Sequence, residues 1–164
     1  MTAKIIPGTE GVTRQPFFSP DGKWIGYLSF TDGQLKKIAI SGGAPVTLCG
    51  VTLFFGASWS EDNTIVYGHP DGIMRISANG GNPEFLINAK SERLLAPQIL
   101  PGGESVLYTS GINIPQAKIM VRSLKSGESK ELFAGYFAQY LQTGHIVYRL
   151  PNNNNLFAIP FDLD

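Results

Sequence analysis

Four segments of the chain repeat one another at an interval of 40 or 41 residues. Their equivalent residues Pro16, Ala57, Pro97 and Ala138 are separated by 41, 40 and 41 residues. A tyrosine near the end of the next apolar run recurs at the same interval, at Tyr27, Tyr67, Tyr108 and Tyr148. Repeats of this length are typical of propeller blades or solenoid units, which bury their apolar faces only against neighbouring repeats. The interval therefore predicts four stacked units.

Each repeat consists of short β-rich runs separated by Gly, Pro, Asn and Asp clusters, and no window shows helical apolar spacing. In the first repeat this pattern predicts strands at 16–19, 24–30, 35–40 and 45–49. Four antiparallel strands in one repeat form a propeller blade. The other repeats predict strands at 56–60, 64–68, 73–77, 84–87, 96–100, 105–110, 118–124, 129–133, 137–141, 145–150 and 156–160.

The fourth repeat is one strand short, and Lys4 to Pro7 occupies the repeat position of the outer strand of a preceding blade. We therefore predict an all-β propeller of four four-stranded antiparallel blades in a single domain, residues 1–164. The blades are expected at about 13–50, 54–88, 94–134 and 136–160, the last completed by strand 4–7. Closure of this kind removes exposed edges. The alternative is that the leading segment 4–7 and the missing strand of the fourth repeat only reflect where a longer repeat array was cut.

Composition narrows the classes of partner. The 13 basic and 13 acidic residues cancel and form no block, so neither nucleic acid nor membrane is expected as a partner. No apolar stretch approaches ~18 residues and no signal peptide is evident, so we expect the chain as given to be soluble, in a compartment that the sequence leaves open. The single Cys49 ends an apolar run, which predicts a buried structural thiol.

No catalytic constellation is evident in the sequence. His69 and His145 lack zinc-site spacing, and there is no Gly-x-Ser-x-Gly elbow. The turn aspartates do not reach the ligand density of a calcium loop; they are Asp32, Asp62 and Asp71. We expect Asp21 to stabilise a turn by accepting backbone hydrogen bonds. The run 152–155 predicts a hairpin loop, with sugar or peptide binding by its amides as the alternative. No catalytic residue, metal or cofactor is expected.

The segment Phe18 to Ile25, Phe-Ser-Pro-Asp-Gly-Lys-Trp-Ile, is similar to the core of the TolB-like, or PD40 (WD40-like), propeller repeat. Weaker copies occupy 59–63, 100–104 and 141–144. Segments 7–11, 35–38, 42–49 and 159–162 also resemble the propeller region C-terminal to bacterial serine/threonine kinases, although no kinase motif is present. The resemblance implies binding of proteins, peptides or small ligands without a shared chemistry. It also implies more than four blades in a closed ring, and it allows an extracytoplasmic domain of a longer protein.

The innermost strands supply the candidate binding residues. One repeat position is uniformly large and apolar and is expected to pack between blades: Phe18, Trp59, Ile99 and Tyr140. The preceding position is more polar and is expected to face the channel: Phe17, Ser58, Gln98 and Gln139. We expect a binding surface at the channel mouth, built from Trp59, Arg93, Gln98, Tyr136 and Gln139. The alternative is that these residues only pack or solvate loops.

These observations favour a non-catalytic binding or scaffold module for a protein, peptide or small ligand. The alternative is the propeller portion of a peptidase or hydrolase whose catalytic domain is missing. Four blades leave two apolar faces exposed if the ring stays open, so we expect two copies to form an eight-bladed homodimer. In that dimer, residues 4–7 of one chain would complete the fourth blade of the other. The competing expectation is a compact four-bladed monomer that pairs this strand within its own chain.

Overall fold

The computed structural model describes residues 3–10, 13–89, 92–111, 113–153 and 155–163. Four antiparallel sheets follow one another along the chain as the blades of a β-propeller, which confirms the predicted fold class. Blade 1 contains β1 (Thr13–Phe18), β2 (Trp24–Ser29), β3 (Gln34–Ala39) and β4 (Val46–Gly50). Blade 2 contains β5 (Ala57–Trp59), β6 (Thr64–His69), β7 (Gly72–Ser77) and β8 (Glu84–Asn88).

Blade 3 contains β9 (Leu94–Ile99), β10 (Ser105–Ser110), β11 (Lys118–Ser123) and β12 (Ser129–Ala134), and blade 4 contains β13 (Tyr136–Leu141), β14 (His145–Arg149) and β15 (Leu156–Pro160). The strand order within each blade is sequential, from the innermost strand outward. A single turn of 3₁₀ helix, Ile114–Gln116, lies in the long hairpin of blade 3. The described part of the chain contains no helix that is long and apolar enough to cross a membrane.

The turn after each inner strand explains why the chain reverses there. In blade 1, Asp21 Oδ1 accepts from the Ser19 hydroxyl at 2.6 Å and from the Lys23 N–H at 3.0 Å. The Ser19 Oγ in turn accepts from the Trp24 N–H at 2.9 Å. The bond from Ser19, followed by that from Lys23, lowers the pKa of the Asp21 carboxyl. Asp21 is therefore a turn residue, as the sequence predicts.

Blade 2 repeats this arrangement. Asp62 Oδ1 accepts from the Ser60 hydroxyl at 2.7 Å and from the Thr64 N–H at 3.0 Å. Partial burial alone would raise the pKa of Asp62, but the bonds from Ser60 and Thr64 outweigh burial and lower it. Two of the four repeats thus use one serine–aspartate pair to fix the tight connection between the first and second strands.

The core is divided into three clusters, and each lies between two consecutive blades. The cluster between blades 1 and 2 includes Leu35, Trp59 and Ile65, and Cys49 is buried within it. The other two lie between blades 2 and 3, around Val66 and Val106, and between blades 3 and 4, around Leu107 and Ile146. Burial in this core raises the pKa of the Cys49 thiol, whose Sγ lies 3.9 Å from the Tyr67 hydroxyl. The predicted buried thiol is confirmed.

Among the described residues, the last blade and the first make no contact of the size that joins neighbouring blades. Contacts between blades join blade 1 to blade 2, blade 2 to blade 3 and blade 3 to blade 4. Among the described residues, no apolar cluster joins blade 4 to blade 1. The four inner strands nevertheless face one central cavity, so the molecule is an arc of four blades around a shared axis.

The fourth blade differs from the prediction, because its sheet has three strands, β13, β14 and β15. The expected strand 4–7 is absent: residues 3–10 are irregular, with a turn at Pro7 and Gly8. This segment lies instead against the outer hairpin of blade 1. A Cβ placed on Gly8 would be 2.5 Å from the Gly43 carbonyl oxygen and 3.0 Å from Ile38 Cδ1. Pairing of this segment with blade 4 of the same chain is therefore not observed.

Candidate functional site

A central cavity of about 520 Å³ is the candidate binding site. Each of the four inner strands contributes three consecutive residues, and those from blades 3 and 4 begin one repeat position earlier than those from blades 1 and 2. The lining residues are Pro16, Phe17, Phe18, Ala57, Ser58, Trp59, Ala96, Pro97, Gln98, Phe137, Ala138 and Gln139. The lining combines aromatic rings, small side chains and two primary amides. It contains no ionisable side chain, so the wall of the cavity is neutral.

Each inner strand enters the cavity through a residue with left-handed backbone geometry at the same repeat position. These residues are Gln15 (φ 50°), Gly56 (φ 90°), Ala96 (φ 48°) and Phe137 (φ 53°). The pairing register shifts at this point in β1, β9 and β13, as expected where an extra residue forms a β-bulge. Only glycine adopts this geometry without steric cost, yet three of the four repeats use another residue.

Phe137 is the most unusual of these residues. This aromatic residue is 45% exposed and lines the cavity, although it adopts φ 53°. Its N–H donates to the buried Thr109 Oγ1 at 3.0 Å, and its ring meets Tyr136 edge-on with centroids 5.5 Å apart. The structure therefore holds an aromatic ring at the cavity wall in a backbone conformation that disfavours it. Sequence reasoning missed Phe137, although Gly56 at the equivalent position was a signal for positive φ.

Gln98 joins blade 3 to blade 4 at the cavity wall. Its Nε2 donates to the Tyr140 carbonyl at 3.1 Å, and its Oε1 accepts from the Tyr140 N–H at 2.8 Å. Both bonds reach the inner edge of β13, the first strand of the next blade. The Gln98 amide is thus committed to holding two blades together, while Gln139 at the equivalent position of blade 4 is exposed.

The structure brings three of the five predicted binding residues to the cavity, namely Trp59, Gln98 and Gln139. Trp59 is only 8% exposed and packs edge-on against Phe17, with centroids 6.5 Å apart. Its indole Nε1–H donates to Asn63 Oδ1 at 3.3 Å. Trp59 is therefore mainly a core residue, and only a small part of its surface lines the cavity.

Arg93 and Tyr136 lie outside the cavity lining, at the end where the inner strands begin. The guanidinium of the exposed Arg93 lies over the Phe55 ring, 5.8 Å from its centroid. Tyr136 is buried, and the Arg149 guanidinium lies 5.3 Å from its ring centroid. This end of the arc thus places two arginines on aromatic faces, a contact worth about 0.5–1 kcal/mol at exposed sites.

All four residues of the predicted channel row line the cavity, namely Phe17, Ser58, Gln98 and Gln139, and two residues of the predicted packing row, Phe18 and Trp59, line it as well. Phe17, expected at the channel, is buried in the cluster between blades 1 and 2, whereas Phe18, expected to pack, is exposed. The reason is geometric: successive side chains of a strand point to the two faces of its sheet, and in a propeller both faces meet neighbouring blades. The edge of each inner strand, rather than one of its two faces, lines the channel. Both rows of residues therefore contribute to the channel wall.

Other chemistry-bearing residues are tied to their own turns. His69 Nδ1 accepts from the Asp71 N–H at 3.2 Å, and His145 Nδ1 lies 2.9 Å from the Thr143 carbonyl oxygen. Among the described residues, no group of three or more His, Cys, Asp or Glu side chains is arranged to hold a metal ion. Ser58 Oγ at the cavity wall is buried without a hydrogen-bond partner in the structure.

No protein-family model matches the chain, and no curated protein matches it. Solved structures do. A putative TolB from Agrobacterium tumefaciens is 19% identical, with a TM-score of 0.72, over 92% of this chain and 58% of that one. TolB from Acinetobacter baumannii is 15% identical, with a TM-score of 0.69, over 92% of this chain and 40% of that one. An oligogalacturonate lyase in complex with manganese is 13% identical, with a TM-score of 0.66, over 94% and 53%.

This likeness shows that the chain has the propeller fold of TolB-like proteins. The chain spans between two-fifths and three-fifths of the length of these three proteins. They include TolB proteins and an enzyme, so the shared fold is used for different purposes, and function must be argued from the site.

Proposed function

We propose that this chain is a non-catalytic binding module whose central cavity receives a peptide segment or another small uncharged ligand. Phe137 carries the proposal. A half-exposed aromatic ring in left-handed geometry has a cost of about 1–2 kcal/mol for an L-residue, and glycine would remove it. Strained residues of this kind cluster at ligand sites, where the surrounding structure holds them for a purpose.

The lining favours an uncharged ligand with an apolar or aromatic part. Phe18 and Phe137 offer half-exposed rings for stacking, and the exposed Gln139 amide offers both a donor and an acceptor. A charged group would lose its hydration against a wall without a counter-charge, which makes its burial unfavourable. The cavity is also within the usual volume range of small-molecule sites, about 300–1,000 Å³.

The same lining supports binding rather than catalysis. Proton transfer requires a titratable group within hydrogen-bond reach of the reacting atoms, and the lining provides none. Its one hydroxyl side chain, Ser58, has no hydrogen-bonded base that would activate it as a nucleophile. The rival proposal, a propeller portion of an enzyme, takes its support from neighbours such as the oligogalacturonate lyase.

The test is a titration of the ¹⁵N-labelled chain with uncharged N-acetyl dipeptide amides that carry one aromatic side chain. Amide shifts should concentrate at Ala96, Phe137 and Gln139. Thr47 and Glu131 on outer strands are the matched reporters and should not move. Shifts confined to the outer strands would place the site elsewhere and overturn the proposal.

Catalysis is tested separately on a panel of ester, peptide and glycoside substrates. We expect no turnover above the rate without protein. Reproducible turnover that a single substitution abolishes would replace the binding proposal with the enzyme alternative.

A further inference from the structure

Blade 1 exposes the face that meets a preceding blade in every other repeat. Phe18 and Trp59 occupy the same repeat position, opposite Ile25 and Ile65 respectively. Trp59 is 8% exposed because blade 1 covers it, whereas Phe18 is 57% exposed. The equivalent pair Ile25 and Ile65 shows the same contrast, since Ile65 is fully buried and Ile25 only partly so. This face of blade 1 therefore has the residues of an interface between blades, but no blade on it.

Blade 4 exposes the opposite face in the same way. The first large apolar residue of the third strand is fully buried by the following blade in blades 1 to 3: Leu35, Ile73 and Ile119. The equivalent residue of blade 4 is Leu156, which is 71% exposed. The face that blade 4 exposes is therefore complementary to the face that blade 1 exposes. Each exposed face is one half of an interface that the chain already builds three times.

A polar contact accompanies these apolar faces. Gln98 reaches forward from blade 3 and bonds the backbone N–H and C=O of Tyr140. Gln139 occupies the position of Gln98 in blade 4, and Phe18 occupies that of Tyr140 in blade 1. Because Ser19 N–H bonds the Trp24 carbonyl, the Phe18–Ile25 pair is a non-hydrogen-bonded pair. The backbone polar groups of Phe18 therefore point away from β2, where an amide from a preceding blade would meet them.

The segment before blade 1 lies where the outer strand of a preceding blade belongs. In blade 2, Gly80 of the outer hairpin lies next to Leu48 of the preceding β4; a Cβ on Gly80 would be 3.9 Å from the Leu48 carbonyl oxygen. In blade 1, the equivalent Gly42 packs against Pro7, and its Cβ would be 3.0 Å from Pro7 Cδ. Blade 4 meanwhile lacks a fourth strand beyond β15.

We propose that two copies of this chain close a ring of eight blades about a two-fold axis. The exposed face of blade 4 in each copy docks on the exposed face of blade 1 in the other, covering Leu156 and Phe18. The Gln139 amide of each copy bonds the Phe18 backbone of the other, as Gln98 bonds Tyr140. Residues 4–7 of each copy pair with β15 of the other and complete its fourth blade.

A second copy is the occupant that these observations favour, because the two exposed faces are complementary and occur once each on every chain. A two-fold pair covers both faces of both copies and leaves no blade edge open. The chain has no net charge, so long-range repulsion does not oppose the pairing. In the dimer the interface takes up Phe18 and the Gln139 amide, so a ligand in the common channel meets Phe137 and the rest of the cavity lining.

Sedimentation equilibrium of the purified chain, from micromolar to near-millimolar concentration, tests the assembly. We expect twice the 17.8 kDa chain mass for the wild type. Leu156→Glu should give the single-chain mass, because it buries a carboxylate in an apolar interface. Leu53→Glu is the matched control: Leu53 is an exposed leucine on the link between blades 1 and 2, and this variant should remain dimeric.

Two further variants test the details of the contact. Gln139→Ala should raise the dissociation constant of the dimer by about a hundredfold, because a pair of bonds worth roughly tenfold is lost at each of two equal interfaces. Deleting residues 1–8 should also weaken the dimer, while unfolding transitions show that each variant still folds. A single-chain mass for the wild type at all concentrations overturns the proposal. So does a larger open series of species, or a dimer that Leu156→Glu leaves intact.

Discussion

Gln98 bonds both backbone polar groups of Tyr140, one blade further along the ring. The amide Nε2 donates to the Tyr140 carbonyl at 3.1 Å, and the amide Oε1 accepts from the Tyr140 N–H at 2.8 Å. Tyr140 lies opposite Ile146 in the innermost strand of blade 4, whose inner edge has no neighbouring strand. The side chain of one blade therefore supplies the hydrogen bonds that a further strand would supply to the next blade.

Gln98→Ala should lower the free energy of unfolding by about 2–3 kcal/mol, because it leaves two partly buried backbone groups without partners. Gln98→Glu should recover only part of this, since a carboxylate accepts from the Tyr140 N–H but repels its carbonyl. Gln142→Ala, at the exposed glutamine that follows β13, is the control and should stay within about 0.5 kcal/mol of the wild type. Urea unfolding measures all three; an unchanged midpoint for Gln98→Ala would contradict the role assigned to this residue.

Local pattern predicts most of the fold because strands and turns are local. The alternation around Tyr27 and Tyr67 and the serine–aspartate turns at Asp21 and Asp62 place the first two strands of their blades to within two or three residues. The third strand of blade 4 is found for the same reason. Local pattern does not predict which strand a given segment pairs with. Residues 4–7 have a strand-like sequence, but they pair with no strand of the chain.

The site was predicted less completely, since its wall depends on how blades are oriented. Gln98 and Gln139 have the same residue type at the same repeat position, yet one is bonded to the next blade and the other is exposed. Only the presence or absence of a following blade distinguishes them. Phe137 was missed because aromatic identity predicts packing, while its exposure follows from the left-handed geometry that recurs at this position in every repeat.

The serine–aspartate turns predict a loss of stability in acid. Hydrogen bonds hold the pKa values of Asp21 and Asp62 below their ordinary values in the folded chain. The folded state then binds these protons more weakly than the unfolded state, so the stabilisation is present above pH ~4 and is lost as the pH falls through the lower folded pKa. The double variant Asp21→Asn, Asp62→Asn should lose less stability in this window.

Thermal unfolding between about pH 5 and pH 2 measures the effect as the slope of the melting temperature against pH. The wild type measured in the same buffers is the reference for this slope. A steeper slope in the double variant would contradict the assigned hydrogen bonds.

Cys49 should resist alkylation in the folded chain. Its thiol is buried in the cluster between blades 1 and 2, and this burial raises its pKa, so both access and thiolate fraction are low. Iodoacetamide at mildly alkaline pH should modify Cys49 only as fast as the core opens, and urea should accelerate the reaction to the rate of a free thiol. Fast stoichiometric labelling without denaturant would contradict the packing of this cluster.

Phe17 fills the space that Gly26 leaves on the facing strand. A Cβ on Gly26 would lie 2.2 Å from Phe17 Cζ, so Gly26→Ala should displace the ring and lower the free energy of unfolding by about 1–3 kcal/mol. Phe17→Ala should cost about 3–5 kcal/mol through the cavity it creates. In the double variant the methyl group added by Gly26→Ala no longer meets a ring, so the combined loss should be smaller than the sum by about 1 kcal/mol or more.

Gly50→Ala is the control for this cycle, because Gly50 is also a strand glycine of blade 1 and no atom lies within 4 Å of the position of its added Cβ. Its free energy of unfolding should stay near that of the wild type. Strict additivity of the Phe17 and Gly26 substitutions in urea unfolding would show that the two positions do not share the same space.

Phe137 and Ala96 separate backbone strain from ligand binding, because both adopt left-handed geometry at the same repeat position. Ala96→Gly should raise the free energy of unfolding by about 0.5–1 kcal/mol and, because it removes only a methyl group from the cavity wall, should retain binding of the aromatic dipeptide amides. Phe137→Gly gains a similar relief but loses the contact with Tyr136, so its stability should stay within about 1 kcal/mol of the wild type. Binding should nevertheless be lost, because the exposed ring is the part of the wall that meets the ligand. If Phe137→Gly unfolds far more easily than Ala96→Gly and still binds the amides, the ring is structural and the cavity takes its ligand by other residues.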